Sequence, residues 1–169
     1  MLLSIRKFLW MSFSLVIFCN IIGCSSTPKP PEPVQWPVDI LTSVDVNPND
    51  YNRPSPIVII FYQLADDNVF LNADFFALYN DDKKVLNTDL LSRKQLELLP
   101  AQNLELQWTL NSQTKFIGVI AAYNKLEQSV WRAVYPVDQI ALAEKNSFWS
   151  LFSGKDKPLE IHFMANKIQ

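Results

Sequence analysis

The sequence has little of the chemistry that most enzyme and metal sites require. It contains two cysteines, three glycines and one histidine, His162, among 169 residues. These counts exclude a histidine-based zinc site or a cysteine cluster, and they leave too few glycines for a phosphate-binding loop. No serine stands in a G-x-S-x-G context, so a hydrolase of that class is not indicated. We therefore expect no catalytic site, no metal ion and no cofactor.

The sequence also has little net charge. The formal net charge is −2, and a mildly acidic surface argues against nucleic acid as a partner.

The nearest approach to the paired carboxylates of a hydrolase is in Asp66/Asp67 and Asp81/Asp82. Each pair lies beside an asparagine, in a context where aspartate usually caps helices or forms Asx turns. We therefore interpret both pairs as structural.

The first 24 residues have the order of a lipoprotein signal. Arg6 and Lys7 form a basic region, residues 8–18 form an apolar region, and Gly23 precedes Cys24. The apolar run is too short to span a bilayer permanently. A lipobox of this kind predicts that the Cys24 thiol is acylated, that the chain is cut after Gly23 and that the new amine is acylated as well. An ordinary signal peptide with a cysteine near its end is the alternative.

A proline-rich segment follows the predicted lipidation site. Residues 25–37 contain five prolines, and such a composition favours an extended polyproline II tether of up to roughly 40 Å at 3.1 Å per residue. Two or more acyl chains give stable membrane attachment. Because position 25 is serine rather than aspartate, we expect the outer membrane, with the protein facing the periplasm. The predicted division is a signal at residues 1–23, a tether at residues 24–37 and one domain at residues 38–169.

The domain has the pattern of an all-β protein. Continuous apolar runs at residues 57–64 and 116–123 are typical of strands covered on both faces. Alternating apolar residues predict further strands at residues 104–110, 130–137 and 159–163. Residues 39–46 are β-rich and predict another strand, and a weaker strand signal lies at residues 93–99.

One segment departs from the strand pattern. Residues 69–79 place apolar side chains at roughly helical spacing, and Asp66 and Asp67 are positioned to cap the start of a short helix. The chain has no βαβ rhythm, so an antiparallel β-sandwich with an inserted helix is predicted. In that fold we expect Trp108 and Trp131 in the core and Arg132 on the surface.

A series of short motifs in a fixed order resembles a known family. After the lipobox and the prolines come Asn47-Pro48, Arg53-Pro54-Ser55-Pro56, Tyr62-Gln63-Leu64, Asp74-Phe75, Leu99-Pro100, Ile117-Gly118-Val119-Ile120-Ala121 and Trp131-Arg132. Over about residues 38–163 this order is similar to that of the TssJ (SciN/VasD) family, the outer-membrane lipoproteins of the type VI secretion system.

The resemblance implies a transthyretin-like β-sandwich of two four-stranded sheets without enzyme activity. It also implies binding to the periplasmic C-terminal domain of TssM, an inner-membrane protein that pairs with TssL in the envelope-spanning complex. The family's partner-binding loop joins the first two strands and corresponds here to residues 47–56. The predicted contact residues are Asn47, Pro48, Asn49, Asp50, Tyr51, Asn52, Arg53, Pro54 and Ser55.

The connection at residues 138–157 is longer than expected of the family. It carries Phe148, Trp149, Leu151 and Phe152. These residues either pack on the sandwich or add an apolar surface for a neighbouring subunit.

The alternative function is that of a generic periplasm-facing lipoprotein, which binds a small ligand or assists envelope assembly.

Overall fold

The computed structural model describes residues 34–137 and 159–169. The predicted lipidation site Cys24 and the connection at residues 138–157 lie outside the described residues. Besides two short 3₁₀ helices, at Asn87–Asp89 and Leu126–Gln128, the chain forms seven strands and two α-helices within the described ranges. In chain order they are β1 (Val34–Thr42), β2 (Ile57–Leu64), α1 (Asn68–Asn72), α2 (Phe75–Leu86), β3 (Leu90–Leu98), β4 (Asn103–Leu110), β5 (Phe116–Ala121), β6 (Arg132–Pro136) and β7 (Leu159–Phe163).

The strands form two sheets, with the orders β4-β1-β7 and β3-β2-β5-β6. β1 pairs antiparallel with β4 and parallel with β7, and every pair of the second sheet is antiparallel. This arrangement confirms the prediction of a mostly β protein with two sheets and an added helical element. The described residues give the first sheet three strands rather than four. Beyond β7 the chain turns back, and His162 and Gln169 exchange two backbone hydrogen bonds of 2.9 Å.

β2 is buried on both faces, as its continuous apolar run predicts. Successive side chains of a strand point to opposite faces, so its residues divide into two sets. The inter-sheet core, which lies between the two sheets, takes Ile57, Ile59 and Phe61. The helix layer, formed by α1 and α2 on the outer face of the second sheet, covers Ile60, Tyr62 and Leu64.

The helical segment differs from the single short helix that the sequence predicts. It contains two helices because Asp74 begins a second one, accepting the Ala77 N–H at 3.0 Å in an N-cap. Because α2 begins anew after Asp74, its residues do not continue the helical periodicity of α1. Phe75 is consequently buried, whereas Phe76, expected on the apolar face, is 64% exposed. At the start of α1, Asp67 makes no side-chain cap bond.

The first strand begins earlier than the sequence predicts. Residues 34–37, which we had assigned to the tether, belong to β1. Trp36 is 5% exposed and lies opposite Trp108 of β4, so this stretch contributes to the core. β7 pairs with β1 only from Val38 onwards. Pro37, which has no N–H to donate, therefore lies where β1 has a single described neighbour, a position that proline tolerates.

The predicted core tryptophans are each half-buried. Trp108 packs against the inter-sheet core and meets Phe61 edge-to-face at 5.7 Å between ring centroids. Trp131 touches both the inter-sheet core and the helix layer. Arg132, expected on the surface, is also half-buried. Its guanidinium lies 4.7 Å from the centroid of the Trp131 ring, and burial lowers its pKa.

The strand registers place the connections at two opposite ends of the sandwich. The tether end carries the start of β1 at Val34, the end of β4 at Leu110 and the turn at residues 111–115. The loop end carries four segments: residues 43–56, the β3–β4 connection at 99–102, the β5–β6 connection at 122–131, and the residues after β7 at 164–166.

Candidate partner-binding site

The base of the loop at residues 47–56 is fixed by one buried asparagine. Asn47 is 3% exposed and has a φ of 51°, a left-handed conformation that asparagine adopts more readily than most residues. Its side chain donates to the Pro56 carbonyl at 2.7 Å and accepts the Asn124 N–H at 2.7 Å. One side chain thus closes the loop and ties it to the β5–β6 connection.

A second asparagine organises the interior of the loop. The side-chain oxygen of Asn49 accepts the N–H groups of Tyr51 and Arg53, both at 3.0 Å. The backbone of Asn49 adds bonds to Arg53 and Asn52, each of 2.9 Å. Asn52 has a left-handed φ of 56°, and such short polar residues suit turns because they bond to nearby backbone. The loop is therefore held by its own hydrogen bonds, and a loop of this kind would lose little entropy on docking to a partner.

The tip of the loop presents a large aromatic side chain to solvent. Tyr51 is 83% exposed, and tyrosine and arginine are enriched among binding hot spots. Five predicted contact residues are exposed together: Asp50, Tyr51, Asn52, Arg53 and Pro54. Three others, Pro48, Asn49 and Ser55, are half-buried. Asn47 supports the loop from beneath rather than forming part of its exposed surface.

A cleft of about 250 Å³ lies beside the base of the loop. Its walls come from the loop base, the β5–β6 connection and the residues after β7, where the Asn47 N–H donates to the Ala165 carbonyl at 3.1 Å. This volume falls below the range of about 300–1,000 Å³ that small-molecule sites usually have. It suits a protein side chain better. The lining residues are Asn47, Pro48, Tyr123, Lys125, Gln128, Ala165 and Asn166.

Tyr123 supplies an aromatic wall of the cleft. It is 5% exposed, and its hydroxyl has no hydrogen-bond partner among the described residues. Burial raises the pKa of Tyr123, so the side chain remains neutral. The charge at the cleft therefore comes from Lys125.

One member of each acidic pair, Asp66 and Asp82, has the structural role that the sequence predicts. Asp66 accepts the backbone N–H of Asn68 at 2.9 Å and its side-chain amide at 2.7 Å. These hydrogen bonds lower the pKa of Asp66. Asp82 is buried and forms an ion pair with Arg93. In residues 34–137 and 159–169, no cluster of three or more His, Cys, Asp or Glu is placed to hold a metal ion.

Sequence reasoning identified the loop but missed the cleft beside it. The cleft-lining residues Tyr123, Lys125, Gln128, Ala165 and Asn166 lie far from the loop in sequence and share no motif. Only the pairing of strands brings them beside Asn47 and Pro48. No pattern in a single sequence would have grouped them.

Comparisons with known proteins agree with the fold. Residues 35–166 match the family model for "Type VI secretion lipoprotein, VasD, EvfM, TssJ, VC_A0113". No curated protein sequence matches. No helix in the described ranges is long and apolar enough to cross a membrane.

Solved structures of similar proteins cover most of the chain. The type VI secretion lipoprotein TssJ1 of Pseudomonas aeruginosa is 26% identical, with a TM-score of 0.69 over 81% of this chain and 94% of that one. The Serratia marcescens protein Lip, a membrane-bound component of the same kind of system, is 30% identical, with a TM-score of 0.68 over 80% and 95%. A chain from a structure described as a type VI membrane complex is 26% identical, with a TM-score of 0.66 over 80% and 95%.

The family model matches well over half of the chain, and it covers both sheets, the helix layer and the loop at residues 47–56. The chain therefore belongs to the TssJ family of type VI secretion lipoproteins, which are structural components of the secretion system and not enzymes.

Proposed function

We propose that this protein is lipid-anchored in the outer membrane, faces the periplasm and binds the periplasmic C-terminal domain of TssM within a complex that also contains TssL. The observation that carries the proposal is the hydrogen-bonded loop at residues 47–56 with Tyr51 exposed at its tip. This loop lies at the end of the sandwich opposite the start of β1. A partner that approaches from the far side of the periplasm would meet it first.

The anchor rests on the lipobox that ends in Cys24. Val34, where β1 begins, is ten positions after Cys24, and an extended tether of that length reaches about 31 Å. We propose a signal at residues 1–23 and a tether from Cys24 to residue 33, followed by the sandwich domain.

Lipid labelling tests the anchor directly. Replacing the thiol in Cys24→Ser should abolish incorporation of labelled palmitate and leave the precursor uncleaved. Replacing the neighbouring Ser25→Ala is the matched control and should leave labelling intact. Palmitate that still migrates with the Cys24→Ser protein would contradict the assignment.

Direct binding to the purified periplasmic domain of TssM tests the loop. The double variant Tyr51→Ala with Arg53→Ala should bind at least about tenfold more weakly, because these residue types often dominate interface energies. Both side chains are exposed, so the melting temperature should stay unchanged. The matched control is Phe76→Ala with Lys84→Ala, an aromatic and cationic pair on α2 that is also exposed. Full affinity in the loop variant would refute the loop as the binding element.

Co-purification separates this function from that of a generic periplasmic lipoprotein. The wild-type protein, extracted from the envelope in detergent, should bring TssM with it. Recovery of an unrelated partner or of a bound small molecule instead would favour the alternative.

A further inference from the structure

Exposed apolar side chains concentrate at the loop end of the sandwich. Among the described residues, eight large apolar side chains are exposed, and three of them, Val69, Leu71 and Phe76, lie on the helices. The turn at residues 111–115, at the tether end, contributes none. The other five belong to the loop end: Val44 at 73%, Tyr51 at 83%, Leu99 at 57%, Val130 at 58% and Met164 at 37% exposure. Tyr51 belongs to the loop at residues 47–56, and the other four residues are here called the apolar end surface.

Backbone hydrogen bonds hold the segments of the apolar end surface side by side. Ser43, which precedes Val44, donates to the Phe163 carbonyl at 2.9 Å and accepts the Ala101 N–H at 3.1 Å. The first bond brings the segment of Val44 next to that of Met164, and the second brings it next to the β3–β4 connection, which carries Leu99. The Val130 N–H donates to the Asn166 carbonyl at 2.9 Å. Four chain segments are thus joined into one ordered end.

The cleft connects this surface to the loop. Pro48 of the loop lines one wall of the cleft, and Ala165, the neighbour of Met164, lines another. The Asn166 side chain also donates to the Gln128 carbonyl at 3.3 Å, across the cleft-lining segments. The loop, the cleft and the apolar end surface are therefore continuous.

We propose that the apolar end surface is a docking surface for the same protein partner that binds the loop at residues 47–56, with an apolar side chain of that partner in the cleft. This inference rests on the proposed function. Continuity with the loop favours the loop's partner as the occupant, because a protein that covers Tyr51 also reaches Pro48 and the cleft. An apolar centre with a polar rim is the usual anatomy of such an interface. Here the rim is supplied by Asp45, Asp50, Arg53, Lys125 and Gln128.

Introducing a negative charge into the apolar end surface tests the proposal. The experiment uses the mature lipoprotein held in detergent. Leu99→Glu and Val130→Glu should each weaken binding to the periplasmic domain of TssM by at least about tenfold, because each puts a charge into an apolar contact. Leu71→Glu and Phe76→Glu are the matched controls, with similarly exposed apolar side chains on the helices. The controls should bind as the wild type does, and all four melting temperatures should stay within a few degrees of the wild type.

The possible outcomes separate this inference from the proposed function. If the wild type does not bind TssM, the proposed function fails, and the inference falls with it. If Tyr51→Ala with Arg53→Ala weakens binding while Leu99→Glu and Val130→Glu do not, the function stands and the apolar end surface is refuted. If analytical ultracentrifugation shows that the wild type dimerises and Leu99→Glu makes it monomeric, the occupant is a second copy, and the proposal is overturned.

Discussion

The inter-sheet core and the helix layer lie on opposite faces of the same strand, yet they are stabilised differently. The inter-sheet core joins side chains from both sheets, with Phe61 of β2 and Ile161 and Phe163 of β7 all buried. The helix layer covers the other face of β2 with a smaller apolar cluster around Phe70 and Leu78. It also has specific polar contacts that fasten the helices to the sheet.

Two of these polar contacts reach carbonyl groups of the helices. The Tyr62 hydroxyl donates to the Leu78 carbonyl at 2.9 Å within the protein interior. Burial raises the pKa of Tyr62, so the hydroxyl stays protonated and able to donate. Arg132 donates to the carbonyls of Phe70 and Ala73 at 2.8 and 2.9 Å.

This difference indicates that packing between the two sheets determines the fold. The helices are held on its outer face by the smaller apolar cluster and a few hydrogen bonds. Loss of inter-sheet packing should lower the stability of the whole domain. Loss of a contact in the helix layer should loosen the helices first, because local openings require less free energy than global unfolding. The following predictions test this difference.

The largest effect should come from the inter-sheet core. Phe61→Ala removes a ring that is 2% exposed and should lower the free energy of unfolding by about 3–5 kcal/mol. Urea denaturation followed by circular dichroism measures the loss, and amide exchange should accelerate in both sheets. A loss below 1 kcal/mol, or faster exchange in the helices alone, would contradict the assigned role of the core.

Arg132→Ala should have the next largest effect, and it should act mainly on the helix layer. The substitution leaves the carbonyls of Phe70 and Ala73 without their donor, and hydrogen bonds to charged groups are worth about 1.5–3 kcal/mol. Hydrogen exchange should accelerate in α1 before it does in β2. Arg132→Lys, which keeps one charged donor, should lose less. Equal losses in the two variants would show that neither the side-chain stem nor a single charged donor is enough to hold α1.

Gly118→Ala tests how closely the helix layer approaches the sheet. A Cβ atom at this position of β5 would lie 2.8 Å from Cζ of Phe70 and 3.0 Å from Cδ1 of Leu64. Both side chains are fully buried, so we expect a loss of about 1–3 kcal/mol from overpacking. Combining it with Phe70→Leu should give a total loss smaller than the sum of the two single losses, because the smaller side chain leaves room. Strict additivity would mean that the sheet backbone, and not Phe70, absorbs the clash.

Tyr62→Phe should have the smallest effect of the four. It removes the hydroxyl that bonds the Leu78 carbonyl but keeps the ring, which packs at 5.6 Å between centroids against Phe70. We expect a loss of about 0.5–1.5 kcal/mol, the usual value of one hydrogen bond. Faster exchange confined to α2 would support a local attachment, whereas a loss equal to that of Phe61→Ala would remove the distinction between the layers.

The strands of the sandwich were more predictable than its helices. The limits of β2 and β7 follow directly from their apolar patterns, since burial on two faces or on one leaves a period in the sequence. The helix layer did not follow, because the restart at Asp74 changes the phase between Phe70 and Phe75. A single helical period across this segment therefore assigns Phe76 to the wrong face.

The site was predictable only in part, for a similar reason. The turn chemistry of residues 47–56 marks a loop, but the sequence does not show that Asn47 is buried while Tyr51 is exposed. That difference depends on Asn124, which lies 77 positions away and bonds the Asn47 side chain. The start of β1 was missed because the prolines favour a tether, while the burial of Trp36 depends on packing inside the sandwich.

The return of the chain after β7 determines where a label can be attached without disturbing the loop end. Gln169 exchanges two backbone hydrogen bonds with His162, and Asn166 lines the cleft, so a label attached within residues 164–169 would lie beside the candidate interface. The turn at residues 111–115 lies at the opposite end, with Ser112 exposed. The two cysteines of the sequence fall in the predicted signal and at the predicted acylation site. Ser112→Cys would therefore supply a single reactive thiol for a fluorophore, remote from the surface at which a partner is expected to bind.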